Sequence, residues 1–204
     1  MEVSVLAIGS LAPLADVVRR LGLLSDADVV VVPTAAAFTG ITEAALEVAM
    51  VLNDLDVRVE ALMVRDRTSA AEDYFTQRLK ESDLVELCDG SPLHARSVWR
   101  DTAFGEAIGA AKRIVAVGAV ASVLGEVMID PRGGAPTTGL GHRSGIAIAV
   151  PASDDQMRRT RSLLASDVAL VTLGPLGVVR HDGIRWRVES ADVVVTRGLD
   201  VVEL

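Results

Sequence analysis

Over the first 118 residues, short apolar runs rich in Val, Leu and Ala alternate with segments long enough for a helix. The runs are VSVLAIG (3–9), ADVVVVP (27–33), VRVEALMV (57–64), DLVELCDG (83–90) and RIVAVG (113–118). Between them, 12–23, 42–55, 69–82 and 94–112 fit helices. Near-continuous apolar strands are buried on both faces, and strands that alternate with helices build a parallel sheet covered on both sides. The expected fold class is therefore α/β, a three-layer α/β/α sandwich with a mostly parallel central sheet.

Local signals refine this frame. Thr39 or Thr42 is the candidate N-cap of the second helix. Ser69 and Glu72 stand in capping-box spacing for a helix over 69–82. The 94–112 segment is expected to break near Asp101-Thr102. The stretch after Gly118 predicts a helix over 119–128. Beyond residue 130 the rhythm changes. DPRGGAPTTGLGH (130–142) reads as a loop or hairpin, 145–151 and 167–174 as strands, and 154–166 as a helix. The tail predicts antiparallel hairpins with turns at HDG and ESAD. No linker or repeat interrupts the chain, so residues 1–204 are expected to form one domain.

Composition excludes several function classes. A net charge of −8 gives no attraction to nucleic acid or to an anionic membrane. No apolar run approaches the roughly 18 residues that a spanning helix needs. Cys88 is the single cysteine, so no intramolecular disulfide forms. The amino-terminal segment carries no basic leader, which together with the lone cysteine points to a reducing cytoplasm. Three scattered histidines and no C-x-x-C leave no metal-ligand set, and no cofactor is expected. The glycine-rich 130–142 loop lacks the Lys of a phosphate-binding loop. Arg158, Arg159 and Arg161 form a solvated helix face or, alternatively, an anion contact.

In an open α/β sheet, ligands bind beyond the carboxyl ends of the strands. Four such ends stand out: VVPTAAAF, LCDGSPLH, VGAVAS and IAVPASDD. The order PTAAA, D-G-S-P-L, G-A-V-A-S-V-L-G-E-V-M, G-L-G and V-P-A-S-D resembles the peptidase E and cyanophycinase-like serine peptidases, of the class I glutamine amidotransferase-like fold group. The resemblance covers almost the whole chain. It implies a flavodoxin-like sandwich, a serine peptidase or hydrolase activity and, by analogy with the fold group, a homodimer.

The same resemblance implies that the chemistry is lost. Where the family has the serine of G-x-S-A-G this chain has Val120, and where the family has the histidine of P-H it has Ala152. Asp89-Gly90 replaces a glycine pair that contributes an oxyanion N–H. Acyl transfer needs an attacking hydroxyl and a base to take its proton, and neither Val nor Ala supplies one. An ionised Asp89 pointing inward also opposes developing negative charge. A β-branched residue at φ > 0 is an outlier, so the turn at Val120 is expected to relax.

Three residues could substitute. Ser122 is a displaced nucleophile or, more simply, a helix residue bonded to local backbone and facing away from the position of Val120. Cys88 is a thiol nucleophile or a small buried apolar residue. His142 is a substitute base or a solvent-exposed loop residue. His94 lines the pocket or merely opens a helix, and His181 reads as a surface turn residue. The expected pocket comprises Thr34, Asp89, Gly90, Ser91, His94, Gly118, Ala119, Val120, Ala121 and Ala152. The leading expectation is a catalytically degenerate binding or regulatory protein that takes a small molecule or peptide. The alternatives are an active hydrolase built on Ser122 or Cys88 with His142, and a small-ligand sensor.

Overall fold

The computed structural model describes residues 4–23, 26–151, 153–198 and 200–204. In chain order the first half runs β1 (Ser4–Ile8), α1 (Leu14–Arg20), β2 (Asp28–Val32), α2 (Ile41–Leu52), β3 (Arg58–Ala61) and α3 (Asp73–Glu81). It continues with β4 (Leu84–Leu87), α4 (Pro92–Trp99), α5 (Ala103–Ala110) and β5 (Arg113–Val117). The second half holds β6 (Gly125–Ile129), β7 (Pro136–Thr138), β8 (Arg143–Ala149), α6 (Asp154–Leu163) and β9 (Ala169–Leu173). It ends with β10 (Val178–His181), β11 (Trp186–Val188), β12 (Val193–Arg197) and β13 (Asp200–Val201).

The central sheet has seven strands in the order β11-β10-β1-β5-β4-β2-β3. Its five strands from the first half are parallel, and β10 and β11 close one side antiparallel. Alternate side chains of each strand serve opposite faces. In β1, Leu6 and Ile8 pack toward α1 and α2, with Leu14, Val17, Val48 and Leu52. Val5 and Ala7 pack on the other face, toward Leu79, Trp99, Phe104 and Ile108 of α3, α4 and α5. The α/β/α layering follows directly from that alternation.

The other six strands of the second half form their own sheet, β13-β12-β9-β8-β6-β7. Within it β6, β8 and β9 are parallel, and the others are antiparallel. One apolar core joins the two sheets, since Ile146, Val171 and Val195 cluster with Val5, Val85 and Ile114. Trp186 Nε1 also donates to the Ser144 carbonyl at 3.2 Å, from β11 across to β8.

Several local expectations need correction. The helix predicted over 119–128 is instead a 3₁₀ turn, Gly118–Leu124, followed by strand β6. A short apolar run reads equally well as buried strand or helix, and pairing with β7 and β8 decides it. Neither Thr39 nor Thr42 caps α2: Gly40 takes that position at φ 120°. The Ser69 capping box does not form. Ser69 Oγ instead accepts from the N–H groups of Arg65 and Asp66, and α3 starts later, at Asp73. The ESAD turn joins no hairpin, because β11 and β12 lie in different sheets. The HDG turn does join the β10–β11 hairpin. The break near Asp101-Thr102 is present, with Asp101 at φ 56°.

Candidate functional site

At the carboxyl end of β5 the chain turns sharply. Gly118 takes the left-handed conformation that the turn requires, at φ 64°. Val120 does not. Among the described residues, the only non-glycine residues with positive φ are Asp26, Asp56 and Asp101. The relaxed turn expected at Val120 is therefore what the backbone adopts. The Val120 side chain is completely buried and joins the main core with Ala121, Val123 and Leu124.

Asp89 follows β4 and lies beside this turn. Its Oδ1 accepts from the N–H of Gly90 at 2.7 Å and from the N–H of Ala119 at 2.8 Å. The carboxylate packs directly over Gly118, and a Cβ on Gly118 would overlap it. Desolvation raises the Asp89 pKa above the ordinary carboxylate value, although both backbone hydrogen bonds pull the other way. Two backbone donors at the strand ends are thus occupied by the chain's own carboxylate.

A cavity of about 310 Å³ opens beside Asp89, at the carboxyl ends of β2 and β4. Its walls include Leu11, Ala44 and Val48, together with Glu43 and Glu47 of α2 and Cys88, Asp89 and Gly90 after β4. Of the described residues of the expected pocket, only Asp89 and Gly90 line it. Thr34 is fully buried and structural: its hydroxyl donates to the Val64 carbonyl at 2.7 Å and accepts from Trp99 Nε1 at 3.2 Å. Ser91 caps α4 by accepting from the His94 N–H. His94 Nε2 lies 3.0 Å from the Arg65 carbonyl, and its ring meets Phe38 edge-on. Gly118, Val120 and Ala121 are buried. Ala152 lies outside the described residues.

The three substitute groups lie in three separate cavities. Ser122, with Ala119, lines a narrow cleft against α6, and its hydroxyl donates to the Ala119 carbonyl at 2.8 Å. Cys88 lines the cavity beside Asp89. His142 lines a third, near Thr102 and Glu126. It is not the solvent-exposed loop residue of the second reading: its ring is half-buried against Gly109, and burial and the Arg143 charge lower its pKa. His181 is likewise less exposed than expected, with its ring edge-on to Trp186. Among the described residues, no Ser, Thr or Cys side chain is hydrogen-bonded to a histidine ring.

One polar group escaped the sequence reading. Glu86, in the middle of β4, is fully buried. Its neighbours in register are Val31 and Val115. One carboxyl oxygen, Oε2, accepts from the Cys88 thiol at 3.2 Å, and Oε1 has no partner. Desolvation pushes its pKa up to about 8. Burial, followed by the Glu86 charge, pushes the Cys88 thiol up as well. Such a thiol is inert as a nucleophile. The signal was a single carboxylate inside the apolar run LVELC.

No family model matches the sequence, and no curated protein matches it. Solved structures do match in fold. A peptidase from an acI-B1 Actinobacterium superposes with a TM-score of 0.80 at 18% identity, covering 100% of this chain and 94% of that one. A protein from Listeria monocytogenes EGD-e assigned as a peptidase E superposes with a TM-score of 0.69 at 14% identity, covering 97% and 99%. In fold, therefore, the chain resembles the peptidase E-like α/β peptidases.

Proposed function

We propose that this chain is a non-catalytic binding or regulatory protein on a peptidase E-like fold, with a small molecule or peptide as its ligand. The observation that carries the reading is the state of the elbow. At the position where the resemblance expects the nucleophile, Val120 is sealed in the core. The N–H of Gly90, in the turn the resemblance casts as an oxyanion donor, already bonds Asp89. A carboxylate held there repels the negative charge that acyl transfer must develop. Alanine at 152 offers no proton acceptor.

A fluorophosphonate probe tests this reading. No labelling and no peptide hydrolysis are expected. Labelling that disappears in Ser122→Ala would establish a displaced nucleophile and overturn it. The ligand-sensing version draws support from the cavity beside Asp89, whose volume of about 310 Å³ suits a small molecule.

A further inference from the structure

We propose that this chain pairs with a second copy of itself, as a two-fold dimer, through the groove where the free edges of its two sheets meet. The groove has a volume of about 530 Å³ and lies between β11 and the β12–β13 end of the second sheet. β11 is the last strand of the central sheet and β13 the last of the second, so both sheets end at this one groove. Among the described residues, no helix residue lines it. The backbone is open on both edges. Asp182 N–H donates to the Arg185 carbonyl and Glu189 N–H to the Val178 carbonyl. Bonded and non-bonded pairs alternate along an antiparallel ladder, so Trp186 and Val188 turn their N–H and C=O groups away from β10. On the other edge Val202 N–H donates to the Val195 carbonyl at 3.0 Å, so Val201 turns its own groups outward. Unpaired groups along a sheet edge are a template for another strand.

The side chains at the groove are apolar and incompletely covered. Val188 is 42% exposed, Val194 47% and Val201 76%. Val193, Val202 and Leu204 line the groove and pack on the main core while only partly buried, so the core is open to solvent along this side. The two edges together select the occupant. A single added strand completes one sheet and leaves the other open. A second copy brings two edges at the same spacing and an apolar groove of its own. Charge agrees with this choice. Arg187 and Glu203 both stand at the groove. Glu203 forms no ion pair among the described residues. Arg187 donates from Nε to Asp182, and its two terminal nitrogens have no partner there. A two-fold interface is self-complementary. With the central sheet of one copy abutting the second sheet of the other, Arg187 of each copy meets Glu203 of the other.

Sedimentation equilibrium over a wide range of protein concentration tests the proposal. An average mass that rises from one chain to two is expected. Val201→Lys, at a position too exposed to support the monomer's core, should weaken association about tenfold or more. Glu203→Arg, which sets like charge against Arg187, should weaken it as well. Met50→Lys, an equally exposed apolar residue on α2, leaves it unchanged. A dimer that neither Val201→Lys nor Glu203→Arg weakens, or that Met50→Lys weakens as much as Val201→Lys does, would overturn the proposal. So would a mass that stays at one chain throughout. If that monomer bound a synthetic peptide of residues 184–189, the groove would belong to a single foreign strand instead of a copy.

Discussion

Glu86 gives the stability of this protein a pH dependence. In the folded state its carboxyl holds a proton up to about pH 8, whereas the unfolded chain releases it near the ordinary value of 4.5. Between those values the folded state binds more protons, so stability falls as pH rises through the window. Glu86→Gln should flatten that slope and gain a few kcal/mol over the parent at pH 8, read by urea unfolding at pH 5 and pH 8. Cys88 should resist a thiol reagent in the native protein at pH 8 and react once urea unfolds it. Gly118→Ala should destabilise by about 1–3 kcal/mol, because the left-handed φ and the Asp89 carboxylate both exclude a Cβ; a thermal melt measures it. At this scale the sequence was informative where chemistry depends on identity alone. Val120 and Cys88 could be judged from what their side chains can do. The cavity that brings Glu43 and Glu47 beside Asp89 could not, because α2 and the end of β4 lie more than thirty residues apart.

The short elements hold by their ends. Thr102 caps α5, accepting from the Gly105 N–H at 3.1 Å while donating to the Trp99 carbonyl. Thr102→Ala should cost about 1 kcal/mol. The residue before it, Asp101, bends the chain between α4 and α5 in the left-handed region. Asp101→Val should cost about 1–2 kcal/mol, since a β-branched residue resists that conformation. Both are read as shifts in the urea midpoint. This break was legible because Asp-Thr is a stop and a cap in two letters. The 3₁₀ turn and β6 were not, because VLGEVMI satisfies a helix and a strand equally until β7 and β8 stand beside it.

One apolar core joins the two sheets, and that should make unfolding a single transition. Trp99 lies deep against the central sheet and Trp186 at the junction with the second. Their combined fluorescence should change together with far-ultraviolet dichroism, and Trp186→Phe should lower stability by about 1–2 kcal/mol without splitting the transition. A parallel sheet was expected from the first five strands. The partition into two sheets was not, because pattern reports burial and not which strand is the neighbour. The 3₁₀ turn Gly118–Leu124 packs against β1 and β5 on one side and β6 and β8 on the other. That turn is the rivet between the two sheets. A polar residue at 120 would loosen the joint, so exposing this turn and keeping the molecule whole are opposed requirements.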